Sequence, residues 1–277
     1  MPYIQVENLT IHYKIEGNGS PLLLLHGMGS NSRSWRNQLE GLKDHFTVIA
    51  WDAPGYGKSS DPSKAITTFK QFAKILKGFL EKLNLDSIYL LGHSMGSVLA
   101  LDFCCLYPEV VKALILADGT RGNAAGDAEL NERKLRNRLV SIETLTPQEI
   151  AKQRVGELLA PNAPEEVRRE AERLYSEIRP AGYRSVAYSL YNANQTGLLP
   201  LINIPTLVIC GELDKVTPVR ESEILHAGIA KSELVIIPGT GHLCYQENPA
   251  AFNHHVLEFL KKHEQMYSRK GEDSGAI

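Results

Sequence analysis

Gly92-His93-Ser94-Met95-Gly96 fits the spacing G-x-S-x-G, which presents a serine hydroxyl for attack on a carbonyl carbon. It follows the apolar run at residues 88–91 and precedes a helix-forming stretch from about Ser97, so Ser94 falls on a strand-to-helix turn. Side chains at the flanking positions of such a turn would collide with the adjoining strand and helix, hence the two glycines. A serine hydroxyl is a poor nucleophile near neutral pH and needs a base, itself oriented by an acid. In chain order the acid is Asp214, reached from the run 206–210 through Gly211-Glu212-Leu213. The base is His242, reached from the run 233–237 through Pro238-Gly239-Thr240-Gly241. All three side chains would then project from the carboxyl edge of a parallel sheet, where open α/β sheets place their sites. Asp118 also ends an apolar run and competes for the same histidine; its structural alternative is to cap the turn after it.

The tetrahedral species formed by such an attack needs two N–H donors aimed at its oxygen. Met95, the residue after Ser94, offers one, and Met28 in His26-Gly27-Met28-Gly29 offers the other. His93, beside Ser94 on the turn, is expected to face away from it and pack. The remaining histidines do not suggest a metal centre. His254 and His255 are adjacent on a helix, and His12, His45, His226 and His263 sit in helix or loop contexts without clustered cysteines or acids. No H-x-E-x-H or C-x-x-C spacing occurs, so no metal is expected. Gly57-Lys58-Ser59 invites a phosphate-loop reading, but the first position of that pattern is Asp52 and Pro54 lacks an N–H, so no nucleotide cofactor is expected.

The elements that must position these residues are legible as apolar runs of four to six residues, each stopped by a turn residue. They lie at 21–25, 46–51, 88–91 and 113–117, the pattern of strands buried on both faces of a parallel sheet, and the strand signal returns at 206–210 and 233–237. Segments 4–9 and 11–15 read as an antiparallel hairpin at one edge. Helical spacing at 67–83, 97–107 and 249 to about 263 alternates with these runs, which indicates a doubly wound α/β fold. Residues 121–196 break the pattern: they are charged, helix-forming and interrupted by Pro147, Pro161, Pro164 and Pro180. The expected organisation is therefore one α/β core of residues 1–120 and 197–277, with 121–196 as a helical insert and 267–277 as a flexible tail. The insert should fold over the Ser94 edge and select small to medium uncharged acyl groups. Tyr183, Tyr188, Tyr191, Arg179 and Arg184 are its candidate lining residues.

Composition narrows the partners. Thirty Lys and Arg balance 32 Asp and Glu, so the chain has no basic footprint for nucleic acid or an anionic membrane. No apolar run approaches the roughly 18 residues of a membrane span, and the N-terminus lacks the basic and apolar regions of a secretory leader. Four cysteines are too few for a disulfide scaffold in 277 residues and read as buried thiols. The expected protein is cytoplasmic, without cofactor, and acts on a small molecule. Its oligomeric state is left open.

On His26-Gly27-Met28-Gly29, Asp52-Ala53-Pro54-Gly55-Tyr56-Gly57-Lys58-Ser59, the Ser94 pentapeptide, Gly211-Glu212-Leu213-Asp214 and Gly241-His242, the chain resembles the α/β-hydrolase family over nearly its whole length. The resemblance is to its capped esterase, lactonase and carbon–carbon hydrolase branch. It implies a mostly parallel eight-stranded sheet flanked by helices, with a helical cap inserted after the sixth strand. It also implies Ser94, Asp214 and His242 as nucleophile, acid and base, and Met28 and Met95 as oxyanion donors. Relatives that dehalogenate or open epoxides carry aspartate where this chain has Ser94. Many relatives have a further glycine where this chain has Ser97, and carbon–carbon hydrolases of ring-cleavage products often have tryptophan where it has Leu243. The activity implied is hydrolysis of a small to medium carboxylic ester or lactone through an acyl-enzyme. Two alternatives remain beside it: a carbon–carbon hydrolase of a meta-cleavage-type dienoate, holding the carboxylate with Arg179 or Arg184, and a slow-turnover ligand receptor.

Overall fold

Runs rich in leucine, isoleucine and valine become strands here because both faces of the sheet they join are covered by helices. The computed structural model describes residues 2–273, with side chains described through residue 264. Its strands are β1 (Tyr3–Val6), β2 (Leu9–Glu16), β3 (Ser20–Leu25), β4 (Phe46–Trp51), β5 (Ile88–His93), β6 (Val111–Ala117), β7 (Thr206–Gly211) and β8 (Ser232–Ile237). They form one eight-stranded sheet in the order β1-β2-β4-β3-β5-β6-β7-β8. β2 pairs antiparallel with β1 and β4, and all the other pairs are parallel. The expected mostly parallel sheet is what the chain forms.

The helices are α1 (Arg36–Leu42), α2 (Phe69–Lys82), α3 (Met95–Leu106), α4 (Ala128–Thr144), α5 (Pro147–Leu158), α6 (Glu165–Tyr175), α7 (Pro180–Asn192), α8 (Val219–Gly228), α9 (Cys244–Glu247) and α10 (Pro249–Asp273). Strand alternation divides the core into two layers. Leu23, Leu25, Ile49 and Trp51 pack with Phe72 of α2, Val98 of α3 and Leu225 of α8. Leu22, Leu24, Val48 and Ala50 pack on the opposite face with Leu39 of α1 and Phe252 and Val256 of α10. The start of α2 is set by a capping box, in which Thr68 and Gln71 satisfy each other's backbone amides.

Some details differ from expectation. The first hairpin turns at Glu7 and Asn8 rather than after Leu9, with Glu7 at φ 52° and Val6 opposite Leu9. β8 is the sheet edge, and its run is half-exposed. α10 runs through Asp273, past its expected end near residue 263. The expected tail from 267 therefore falls partly on this helix, and its residues 274–277 lie outside the described ones. Among the described residues no helix is long and apolar enough to cross a membrane. Cys104, Cys210 and Cys244 are buried free thiols, while Cys105 is half-buried.

Helices α4 to α7 all lie between β6 and β7, so a helical insert follows the sixth strand as expected. It is joined to the layers beneath by specific polar contacts. Arg179 donates to Asp61 Oδ1 at 2.7 Å and to the carbonyls of Gly57 and Ser59 at 2.6 Å. The Ile66 amide donates to Ser185 Oγ at 3.1 Å. Gly55 and Gly182 meet backbone to backbone, so close that a Cβ on Gly182 would lie 2.3 Å from the Gly55 carbonyl oxygen.

Candidate active site

β5 ends at His93, and α3 begins at Met95, two residues earlier than the sequence suggested. Ser94 therefore stands alone between them, at φ 53° and ψ −115°. A non-glycine residue at positive φ is strained, and the packing around this one holds it there. A Cβ on Gly92 would lie 2.3 Å from the Gly96 carbonyl oxygen, and one on Gly96 would lie 2.4 Å from that of Leu25. The strand, turn and helix are thus packed too closely for any side chain at either glycine.

The loops after β5, β7 and β8 bring three distant residues together. His242 Nε2 lies 3.0 Å from Ser94 Oγ, and His242 Nδ1 lies 2.8 Å from Asp214 Oδ2. Asp214 Oδ1 accepts the Val216 and Thr217 amides at 2.7 and 3.0 Å, and Oδ2 lies 2.7 Å from the Thr217 hydroxyl. Burial alone would push the Asp214 carboxyl up, but the His242 imidazole and the Thr217 hydrogen bonds hold it below its ordinary value. An ionised carboxylate can only accept, so His242 Nδ1 carries the proton and Nε2 is free to accept the serine proton. The His242 amide is itself tied to the insert, donating to the Leu158 carbonyl at 2.7 Å.

Asp118 takes a different place from Asp214. Fully buried at the end of β6, at φ 42°, it accepts the Gly211 amide at 2.8 Å. Burial, with the nearby Asp214 charge, raises its carboxyl well above the ordinary range. Asp118, Asp214 and His242 offer ligand-type atoms within 4.8 Å of one another, a possibility the histidine spacings did not suggest. Yet Asp214 is already saturated by two amides, a hydroxyl and an imidazole, so a cation could enter only by breaking that set.

His93 packs as expected, but it also does more. Its Nε2 donates to the His242 carbonyl at 2.7 Å, and its ring lies against those of His242 and Tyr245. Burial pulls its pKa down to about 3, so the ring is neutral. Ser97, the departure from the glycine of many relatives, donates to the Ser94 carbonyl at 2.5 Å and accepts the Thr120 amide at 3.0 Å. His26 is more than a motif residue. Its Nε2 accepts the Ala53 amide at 3.0 Å, which leaves Nδ1 to donate to the Gly27 carbonyl at 2.9 Å. That pair fixes the loop carrying Met28. A Cβ on Gly27 would sit 3.2 Å from Ser94 Cβ, so this loop lies directly on the serine turn. Met95 opens α3, where the first amides have no intrahelical acceptor. His12 is on β2 rather than in a loop, with Nδ1 2.7 Å from Asp52 Oδ2; that carboxylate also accepts the Ser32 and Lys58 amides, the turn-forming role expected of the segment.

Above Ser94 lies an inner pocket of about 60 Å³, lined by the Gly27–Ser30 loop, His242 and the insert residues Tyr175, Tyr183 and Leu190. An outer cleft of about 870 Å³ shares Ser94, Tyr183 and Leu190 with it. Of the five lining residues expected from the insert, only Tyr183 is there. Arg179 is spent on Asp61 and the Gly57 and Ser59 carbonyls, Arg184 pairs with Glu143, and Tyr191 bonds Glu132. Tyr188 is half-buried outside both linings. The cations that do reach the inner pocket are Arg138 and Arg154, which sequence reasoning missed.

A family model described as alpha/beta hydrolase fold matches residues 20–249. The chain is 31% identical to 2-hydroxy-6-oxononadienedioate/2-hydroxy-6-oxononatrienedioate hydrolase 1 of Pseudomonas putida, over 91% of this chain and 92% of that protein. It is 27% identical to 3-oxoadipate enol-lactonase 2 of Acinetobacter baylyi, over 94% of this chain and 96% of that one. Among solved structures it is similar to a thermophilic esterase from Thermogutta terrifontis, with a TM-score of 0.86 and 29% identity, covering 95% of this chain and 98% of the esterase.

Proposed function

The chain belongs to the α/β-hydrolase fold family, and from that premise we propose that it is a serine hydrolase of small to medium carboxylic esters or lactones. The observation that carries this is the unbroken line Ser94 Oγ, His242, Asp214, with contacts of 3.0 and 2.8 Å, at the floor of a cleft. In this mechanism Ser94 attacks the carbonyl carbon as His242 Nε2 takes its proton. Asp214 keeps the proton on Nδ1 and stabilises the imidazolium. The Met28 and Met95 amides hold the oxyanion, one from the loop on the serine turn and one from the start of α3. His242 then protonates the leaving alkoxide, and a water deprotonated by His242 releases the acid and regenerates Ser94. No cofactor takes part. Residues 121–196 serve as a cap over a core of 1–120 and 197–277, so the cap side chains set which groups fit.

A fluorophosphonate should label Ser94 alone and abolish hydrolysis of p-nitrophenyl acetate, and Ser94→Ala should abolish both. Labelling at another residue, with Ser94 free, would overturn the assignment. A second reading, cleavage of a carbon–carbon bond in a dienoate, is favoured by the Pseudomonas putida relative and disfavoured by Leu243. Loss of the dienoate's visible absorbance on mixing separates it from ester hydrolysis.

A further inference from the structure

Two guanidiniums line the pocket that holds Ser94: Arg138 from α4 and Arg154 from α5. They differ in how they are satisfied. Arg154 pairs with Glu157 at its outer end and bonds the Tyr175 hydroxyl, which in turn bonds Tyr183. Arg138 Nη1 is buried and has no hydrogen-bond partner among the described residues. No aspartate or glutamate lines the inner pocket. The outer cleft adds Lys134, Arg136 and Lys215 against the single acid Glu157. A buried guanidinium donor without an acceptor is costly, and a cleft that collects cations without anions lowers the free energy of an anion entering it. This contrasts with the rest of the insert surface, where arginines such as Arg168 and Arg173 pair with glutamates three residues away.

We propose that Arg138, with Arg154 beside it, is a carboxylate-binding subsite of the substrate cleft. The substrate is then an ester or lactone that bears a free carboxylate a few bonds from the scissile carbonyl, such as a monoester of a short dicarboxylic acid. This rests on the serine-hydrolase reading for the scissile bond, whereas the anion site rests on Arg138 and its surroundings. It replaces the expectation of an uncharged acyl group, for which Arg179 and Arg184, not Arg138, were the candidate cations. The planar guanidinium suits a carboxylate because its N–H groups match the two oxygens in one plane.

The test pairs turnover with binding. Monomethyl glutarate should be hydrolysed with kcat/KM at least about tenfold above methyl butyrate, as expected for a charge-assisted hydrogen bond in a partly desolvated site. Arg138→Gln should collapse that ratio toward one, Arg154→Gln should reduce it less, and Arg184→Gln, on the cap surface, should leave it unchanged. Calorimetric titration with glutarate needs no turnover: it should bind wild type better than butyrate does, and Arg138→Gln should weaken it about tenfold or more. If Arg138→Gln does not fold, Arg154→Gln and Arg138→Lys carry the same comparison. Equal kcat/KM for the two esters together with equal binding of glutarate and butyrate would overturn the subsite while leaving the hydrolase intact. Glutarate binding that depends on Arg138, without any turnover of p-nitrophenyl acetate, would support the subsite and overturn the hydrolase.

Discussion

His93 Nε2 donates a hydrogen bond of 2.7 Å to the carbonyl of His242, so the residue before the proposed nucleophile holds the backbone of the proposed base. The bond requires a proton on His93 Nε2, and burial keeps the ring neutral by pulling its pKa down to about 3. The unfolded chain takes up that proton near the ordinary value, about 6.5. Between the two values the unfolded state holds the extra proton, so acid favours unfolding. Stability should therefore fall as pH drops from about 6.5 toward 3, by up to ~1.4 kcal/mol per pH unit from this group. His93→Gln keeps a donor but does not titrate. Urea unfolding at a series of pH values should give a shallower slope for the variant, and identical slopes would show that His93 is not held neutral.

The two strand-end aspartates should separate cleanly. Asp214 is ionised and bonded to His242 Nδ1, so Asp214→Asn offers the imidazole an amide in place of a carboxylate and disturbs its tautomer. By analogy with other triads, kcat should fall by about 10³–10⁴-fold. Asp118 accepts the Gly211 amide and bonds the Cys244 thiol rather than His242 Nδ1, and its raised carboxyl is protonated more readily. An asparagine can accept the Gly211 amide too, so Asp118→Asn should lower kcat by less than about tenfold. Single-turnover phosphonate labelling of Ser94 should rank the two variants the same way. The reverse ranking would make Asp118 the acid.

Ser97 replaces a glycine of many relatives with a side chain that joins the serine turn to the loop after β6. Ser97→Ala removes the donor to the Ser94 carbonyl and leaves the half-buried Thr120 amide without its acceptor. The expected destabilisation is about 1–3 kcal/mol in urea unfolding, the cost of leaving such a group unsatisfied. A variant as stable as wild type would mean that the Thr120 amide finds another partner.

The proposed triad was legible because each member rests on a short-range signal. An apolar run, a glycine-bearing turn and one polar residue are contiguous in sequence at Ser94, Asp214 and His242, and parallel pairing then aligns the three strand ends. The cleft cations were not legible for the opposite reason. Arg138 lies in a stretch with Arg133, Lys134 and Arg136, which reads as a solvated helix face, and only packing against Tyr183 and Tyr175 turns this one side chain inward. Arg179 is among the lining residues expected from the sequence. It precedes the Pro180 that starts α7, and from there it reaches the turn after β4 rather than the pocket. The role of His93 depends on a carbonyl 149 residues further along the chain, a contact no local pattern encodes.

The α7 wall of the cleft should limit acyl length. Leu190 is buried and lines both the inner pocket and the outer cleft, where it stands with Tyr183 over Ser94. Tyr188, two residues earlier on α7, is half-buried but lines neither. Residues two apart on a helix point in different directions, so truncating them should have different consequences even though both are large. The inner pocket, at about 60 Å³, has room for only a short acyl group, and Leu190→Ala should enlarge it by roughly three methylene equivalents. Wild type should therefore hydrolyse p-nitrophenyl acetate and butyrate well and palmitate poorly. Leu190→Ala should move the maximum of kcat/KM toward longer chains, while Tyr188→Ala should keep the wild-type profile. A Tyr188→Ala profile shifted as far as that of Leu190→Ala, or a wild type that prefers palmitate, would show that the wall formed by α7 does not limit acyl length.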